Sequence, residues 1–207
     1  MCNLCIKSDF TDYYDTLNNV NSNLVYNRYI SQCKQRGAAL KFLRNIGVKT
    51  VELKQVNKFF REDGYIVVYT DPKAHNGLGK KIMTVDEANR AYGNYIASHY
   101  YDNTNGLTLK FLQIGKRRFT LYYKTDKPLS LELGTLIDVK ESQAYYNRII
   151  GLPIFSIDYI SNGHEMLATD FNEVQNLSLI GANKLLTPEE IILEILDAMI
   201  AYNKCVQ

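Results

Sequence analysis

Residues Ile154-Phe155-Ser156-Ile157-Asp158-Tyr159-Ile160 are followed by Ser161-Asn162-Gly163-His164-Glu165 and then by Met166-Leu167-Ala168-Thr169-Asp170-Phe171-Asn172. Apolar and aromatic residues alternate with polar ones on both sides of a turn-forming centre, the pattern of a β-hairpin. Side chains of a strand project to opposite faces in turn, so Asp170 and Asn172, two residues apart, share a face. Asp158 joins them only if the connecting loop holds an odd number of residues. A three-residue loop of Asn162, Gly163 and His164 sets Asp158 diagonal to Asp170, and a five-residue loop sets the two acids directly opposite each other. A two-residue Asn162-Gly163 turn sends them to opposite faces.

Two carboxylates and a side-chain amide on one face form a hard, oxygen-rich donor set. Such a set suits Mg²⁺ that keeps part of its water and shares phosphate ligands. Taken singly, Asp and Asn residues alternating with Ile157, Tyr159, Leu167 and Phe171 are the ordinary polar face of a half-buried strand.

Outward from the hairpin, Thr187-Pro188-Glu189-Glu190 opens a C-terminal helix. Thr187 caps it, Pro188 fits its first turn, Glu190 completes a capping box, and Ile191, Ile192, Ile195, Leu196 and Met199 form its apolar stripe. Upstream, Leu107, Leu109 and Phe111 alternate, as do Phe119, Leu121 and Tyr123 beyond Gly115, giving a second hairpin. Tyr65 to Thr70 reads as a buried strand ended by Asp71-Pro72, and after a loop with Gly77 and Gly79 a short strand spans Lys81 to Val85, with a helix from about Asp86. A helix is expected over Gln32 to Ile46, where Ala38, Ala39, Phe42, Leu43 and Ile46 recur at helical spacing before Gly47, and a short strand at Leu4 to Lys7. This order predicts an α+β fold of two halves, not a doubly wound parallel sheet.

Length and composition are consistent with that architecture. The 207 residues can bury a core, and 46% hydrophobic with 22% charged residues excludes a disordered chain. A net charge of +2 gives no electrostatic reason to expect nucleic acid or a membrane surface as partner. No apolar run reaches membrane-spanning length, the first residues lack a secretory signal, and a cytoplasmic protein is expected. Cys2-x-x-Cys5 is compatible with zinc or a redox dithiol, and equally with a reduced N-terminal strand, since Cys33 and Cys205 stand alone. His75, His99 and His164 show no metal spacing and are assigned no catalytic role.

Ile157-Asp158-Tyr159 followed by Thr169-Asp170-Phe171-Asn172-Glu173-Val174 resembles the terminal metal-binding hairpin of the ATP-grasp superfamily. The resemblance implies that Asp158, Asp170 and Asn172 hold Mg²⁺. The helix and Gly47-Val48-Lys49-Thr50, the strand Ile66-Val67-Val68, Pro72, Gly77-Leu78-Gly79-Lys80 and Val85-Asp86-Glu87-Ala88 are similar to the first half of that fold. There Gly77 and Gly79 let backbone N–H groups approach phosphate, and Lys80 or Lys81 neutralises its charge. Residues 1–31 then correspond to a reduced N-terminal segment, 32–103 to the half with the glycine loop, and 104–207 to the half with the acid hairpin.

The family usually places a phosphate-binding lysine immediately before the proline, where this chain has Asp71. Lys73 stands on the other side of Pro72, and Arg36 falls in the place of an earlier basic residue; both are assigned to nucleotide binding. Arg118, within Lys116-Arg117-Arg118-Phe119, matches an arginine that faces the phosphates or an acyl-phosphate, and is the expected catalytic residue. The activity implied is a Mg²⁺-dependent, ATP-consuming ligase joining a carboxylate to an amine or thiol through an acyl-phosphate. The carboxylate would belong to a small molecule, peptide or protein; either the acceptor would be macromolecular or a partner chain would complete the site, and a homo-oligomer is among the expected partners. Asp71 also leaves open a nucleotide-binding regulatory protein without turnover, and Lys116 to Arg118 with neighbouring tyrosines an RNA-binding one.

Overall fold

The computed structural model describes residues 36–71, 79–102, 108–127, 129–131, 134–142, 154–172 and 185–206. The expected strand at Leu4 to Lys7, the start of the first helix before Arg36, the Cys2/Cys5 pair and the segment 1–31 lie outside them.

Two antiparallel sheets carry the described residues. The smaller consists of β1 (Lys54–Gln55), β2 (Tyr65–Tyr69), β3 (Lys80–Thr84) and β4 (Ile96–His99), in the order β1-β4-β2-β3. The larger consists of β5 (Thr108–Ile114), β6 (Arg117–Lys124), β7 (Thr135–Glu141), β8 (Ile154–Ser161) and β9 (Met166–Asn172), in the order β7-β6-β5-β8-β9. Helix α1 (Arg36–Asn45) packs on β9, α2 (Val85–Tyr92) on the small sheet and α3 (Pro188–Val206) on the large one. The α+β expectation holds. The short strands β1 and β4 and the edge strand β7 were not expected from the sequence, because β4 has only four residues and β7 mixes Asp138, Lys140 and Glu141 with its apolar positions.

Each face has its own core. Ala39, Leu40 and Leu43 of α1 pack against Phe111, Phe155, Ile157 and Phe171 on one side of the large sheet. On its other side Leu112, Ile114, Phe119 and Leu121 meet Ile191 and Ile195 of α3. Val56, Ile66, Val68 and Ala97 meet Val85 and Ala88 of α2. The opposite face of the small sheet, with Val67, Tyr69, Lys80 and Ser98 in register, is thus turned away from α2.

Local chemistry fixes the helix starts. Thr84 Oγ1 accepts from Glu87 N at 3.3 Å while Glu87 Oε2 accepts from Thr84 N at 3.0 Å, and Thr187 and Glu190 repeat the arrangement at 3.3 and 2.7 Å. The β5–β6 turn depends on Gly115, whose φ of 55° suits glycine. A Cβ there would overlap the carbonyl group of Glu194 on α3, and the Glu194 carboxylate already accepts from Lys116 N at 2.9 Å. Gly115→Ala is therefore expected to cost roughly 1–3 kcal/mol of stability, from backbone strain and displacement of α3. Urea unfolding of the variant beside Gly93→Ala, where the added Cβ meets its nearest neighbour only at 3.4 Å, checks this.

Candidate active site

The acid hairpin closes with Ser161 opposite Met166, leaving a four-residue loop from Asn162 to Glu165. Asn162 Oδ1 accepts from the N–H groups of His164 and Glu165 at 3.0 and 2.9 Å, and Gly163 adopts φ 91°. The loop is thus even-numbered, and the expectation that only an odd one lets the acids share a face is corrected. Continued without interruption, its register would set Asp158 against Thr169 and turn Asp170 to the far face. A β-bulge intervenes. Tyr159 pairs with Ala168 but Asp158 pairs with Asp170, so Thr169 is the extra residue and the two acids face the same way. Asn172, opposite Ser156 with no further shift, shares that face.

Each carboxylate has a buried cation. The Lys110 ammonium, 4% exposed, donates to Asp158 Oδ1 and lies 3.4 Å from Ser156 Oγ. The Arg36 guanidinium, 6% exposed, donates from Nη2 to Asp170 Oδ2 at 2.9 Å and from Nη1 to the Thr169 carbonyl at 2.7 Å. It also stacks 5.1 Å from the centre of the Tyr69 ring, and the Tyr69 hydroxyl lies 3.0 Å from Ser98 Oγ. Arg36 therefore joins the two sheets.

Lys80 pairs with Tyr69 across β2 and β3 and belongs to the same electrostatic neighbourhood. Burial pushes its ammonium below the ordinary value, Arg36 adds to the shift, Asp170 and Asp158 oppose it, and Lys110 adds a last repulsion. Burial raises the Tyr69 hydroxyl, against the nearby Arg36 charge, and raises Tyr123, whose resistance to ionisation Asp158 reinforces.

Three cations, Arg36, Lys80 and Lys110, thus surround two carboxylates. The donors Asp158, Asp170 and Asn172 fit a hard cation by type, yet the charge of both acids is already balanced by Lys110 and Arg36. Among the described residues no group of three or more His, Cys, Asp or Glu gathers to hold a metal ion. The cluster fits a divalent cation that arrives with polyphosphate, whose negative charge the third cation meets, better than a bare ion.

The other expected site residues divide. Gly79 enters β3 at φ 64°, its carbonyl accepting from Thr70 N at 2.7 Å and Asp71 N at 3.2 Å. Lys81 faces the other way, donating to the Tyr92 hydroxyl at 2.6 Å, so of the two lysines only Lys80 reaches the cluster. Arg118 pairs with Gln113, three residues along β5 from Lys110, and the unbroken β5–β6 register leaves it on the face opposite the acids. It is not brought to them. Lys73 and Gly77 lie outside the described residues, as does Pro72. Lys110, Tyr69 and Ser156 were missed by sequence reasoning. The available signal for Lys110 was a lysine that strand alternation sets on the face of Leu112 and Ile114.

The arrangement of two antiparallel sheets is similar to that of solved structures. One is the ATP-grasp ligase PsnB complexed with a phosphomimetic variant of its minimal precursor, Mg and ADP, at a TM-score of 0.55 and 11% identity over 84% of this chain and 61% of that one. The chain has the ATP-grasp fold. The macrocyclase MdnC of Microcystis aeruginosa, bound with precursor peptide MdnA, matches at 0.53 and 13% identity over 96% of this chain and 72% of that one. MdnB of the same organism matches at 0.52 and 12% over 90% and 66%. The chain thus spans 61 to 72% of the length of these three structures. No family model matches the sequence, and no curated protein matches it.

The shifted groups between the two sheets give stability a pH signature. Lys80 is lowered in the folded chain, so between its folded value and 10.5 the unfolded chain binds more protons and stability rises with pH. Tyr69 is raised, so its contribution is intact below 10.0 and lost as pH climbs through its folded value. Urea midpoints should accordingly climb on the approach to pH 10 and fall beyond it. Lys80→Met should remove the climb and Tyr69→Phe should lessen the fall; midpoints of both variants parallel to the parent across that range would contradict the assignment.

Proposed function

We propose that this chain is an ATP-dependent ligase that activates a carboxylate as an acyl-phosphate and transfers it to an amine or thiol. The observation that carries the reading is the cluster of Asp158, Asp170, Lys110, Arg36 and Lys80 set between the two sheets of an ATP-grasp fold. Residues 32–103 and 104–207 act as its two halves.

In this reading Asp158, Asp170 and Asn172 hold Mg²⁺, which when bound shields the negative charge of the triphosphate. Lys80 meets the phosphate charge that the lysine usual before the proline would meet, since it lies beside Tyr69, two residues short of Asp71, on the neighbouring strand. A carboxylate oxygen attacks the γ-phosphorus, the bond to the bridging oxygen breaks and ADP leaves. The amine nitrogen or thiol sulfur then attacks the acyl carbon, loses its proton, and phosphate departs. The chain's contribution is alignment and fixed positive charge in a water-poor cleft. The solved structures of PsnB and MdnC hold precursors in their complexes, which supports a peptide as the carboxylate substrate.

Asp71 favours a second reading, a nucleotide-binding regulatory protein without turnover. Calorimetric titration with ATP and Mg²⁺ should show binding, with Lys80→Gln weakening it by about ten-fold, the scale of one charge-assisted contact of ~1.4 kcal/mol. Supplying peptides with free carboxylates should release ADP. Unchanged Mg²⁺-ATP binding after joint replacement of Asp158 and Asp170 by Ala would sink the site assignment, and binding without ADP from any carboxylate mixture would select the regulatory reading.

A further inference from the structure

Arg36 makes contacts that a nucleotide-binding residue would not need. Its Nη1 holds the carbonyl of Thr169, the bulged residue itself, and its Nη2 holds the carboxylate of Asp170, the residue that the bulge re-aims. A guanidinium presents its donors in a rigid planar fork, which lets one side chain fix a backbone oxygen and a carboxylate together. The Tyr69 ring covers it, and 6% exposure leaves little of it for a ligand.

The bulge needs holding. The four-residue loop sets a register in which Asp170 would fall against Ile157 and the fully buried Phe155, and Phe171 would leave the α1 core. Burial of Phe171, 5% exposed, opposes that slip from the apolar side, and Arg36 opposes it from the polar side.

We infer that Arg36 is a positioning residue: it clamps the Thr169 bulge, and so holds Asp170 on the face of Asp158 and Asn172, instead of binding nucleotide. The link from the clamp to metal affinity rests on the ligase reading of the site, whereas the clamp itself does not.

The test uses the full chain as Arg36→Gln and Arg36→Lys, with three readouts. Amide hydrogen exchange across residues 168–171, without ligand, should accelerate in both variants, because an ammonium cannot span two oxygens as the fork does. ATP affinity without metal should stay within about two-fold of the parent, whereas the Mg²⁺ concentration for half-saturation at fixed ATP should rise roughly 10- to 100-fold, as for lost outer-shell support of a metal ligand. Should the Gln variant fail to fold, the Lys variant carries the comparison. Loss of metal-free ATP affinity in the Gln variant, restored by Lys, would overturn the inference and make Arg36 a phosphate ligand. Parental exchange rates would overturn the clamp. If the parent binds no nucleotide at all, the ligase reading fails while the exchange data still decide the clamp.

Discussion

Strand side chains alternate, so one extra residue in β9 decides which face Asp170 takes. Everything at the acid hairpin follows from that constraint. The Asn162–Glu165 turn is locally complete, with its N–H groups satisfied by Asn162 and Ser161, and on its own it would separate the acids. Thr169 breaks the ladder and reunites them, while the same shift returns Phe171 to the apolar side where α1 packs. A polar requirement and an apolar one are met by a single insertion. β9 also lies at the edge of the five strands named in its sheet, where a bulge disrupts pairing on one side only. Its other side is engaged at Ala168 by Lys49 and Val51, through backbone bonds of 2.9 and 3.0 Å.

The ion pairs explain why the carboxylates can sit half-buried. Taking a charge out of water costs several kcal/mol, and breaking a buried pair by removing one partner typically costs about 3–5 kcal/mol. Asp158 and Asp170, 19% and 17% exposed, each have a partner more deeply buried than themselves. In each pair the cation is the more buried member. Lys80 then adds a positive charge with no carboxylate of its own in the cluster, and burial lowers its affinity for a proton, with the Arg36 charge adding to the shift.

The hairpins, the capped helices and the α+β class were legible because each rests on local periodicity or a short capping pattern. Thr84 with Glu87, and Thr187 with Glu190, are three residues apart, and the alternation of Phe119, Leu121 and Tyr123 needs no knowledge of any partner strand. The bulge was not legible: parity arguments count loop residues, and nothing in Ser161 to Thr169 distinguishes a longer loop from a shorter one with a bulge. Lys110 was hidden for a related reason, since a strand lysine reads as solvent-facing until the strand beside it is known to present Asp158.

Arg118 and Lys80 show the same limit from opposite sides. Arg118 is marked in the sequence by its place in a motif, but the side of a sheet that a residue occupies depends on its parity relative to the acids, and Gln113, its partner, lies three residues along β5 from Lys110. Lys80 and Lys81 were indistinguishable in sequence; pairing of Tyr69 with Lys80 and Val68 with Lys81 sends one to Arg36 and the other to Tyr92. A charge acts through its position in space. Tyr69 and Lys80, paired across β2 and β3, thus set a cation on the face of the small sheet turned away from α2, a placement that a motif comparison along one strand does not register.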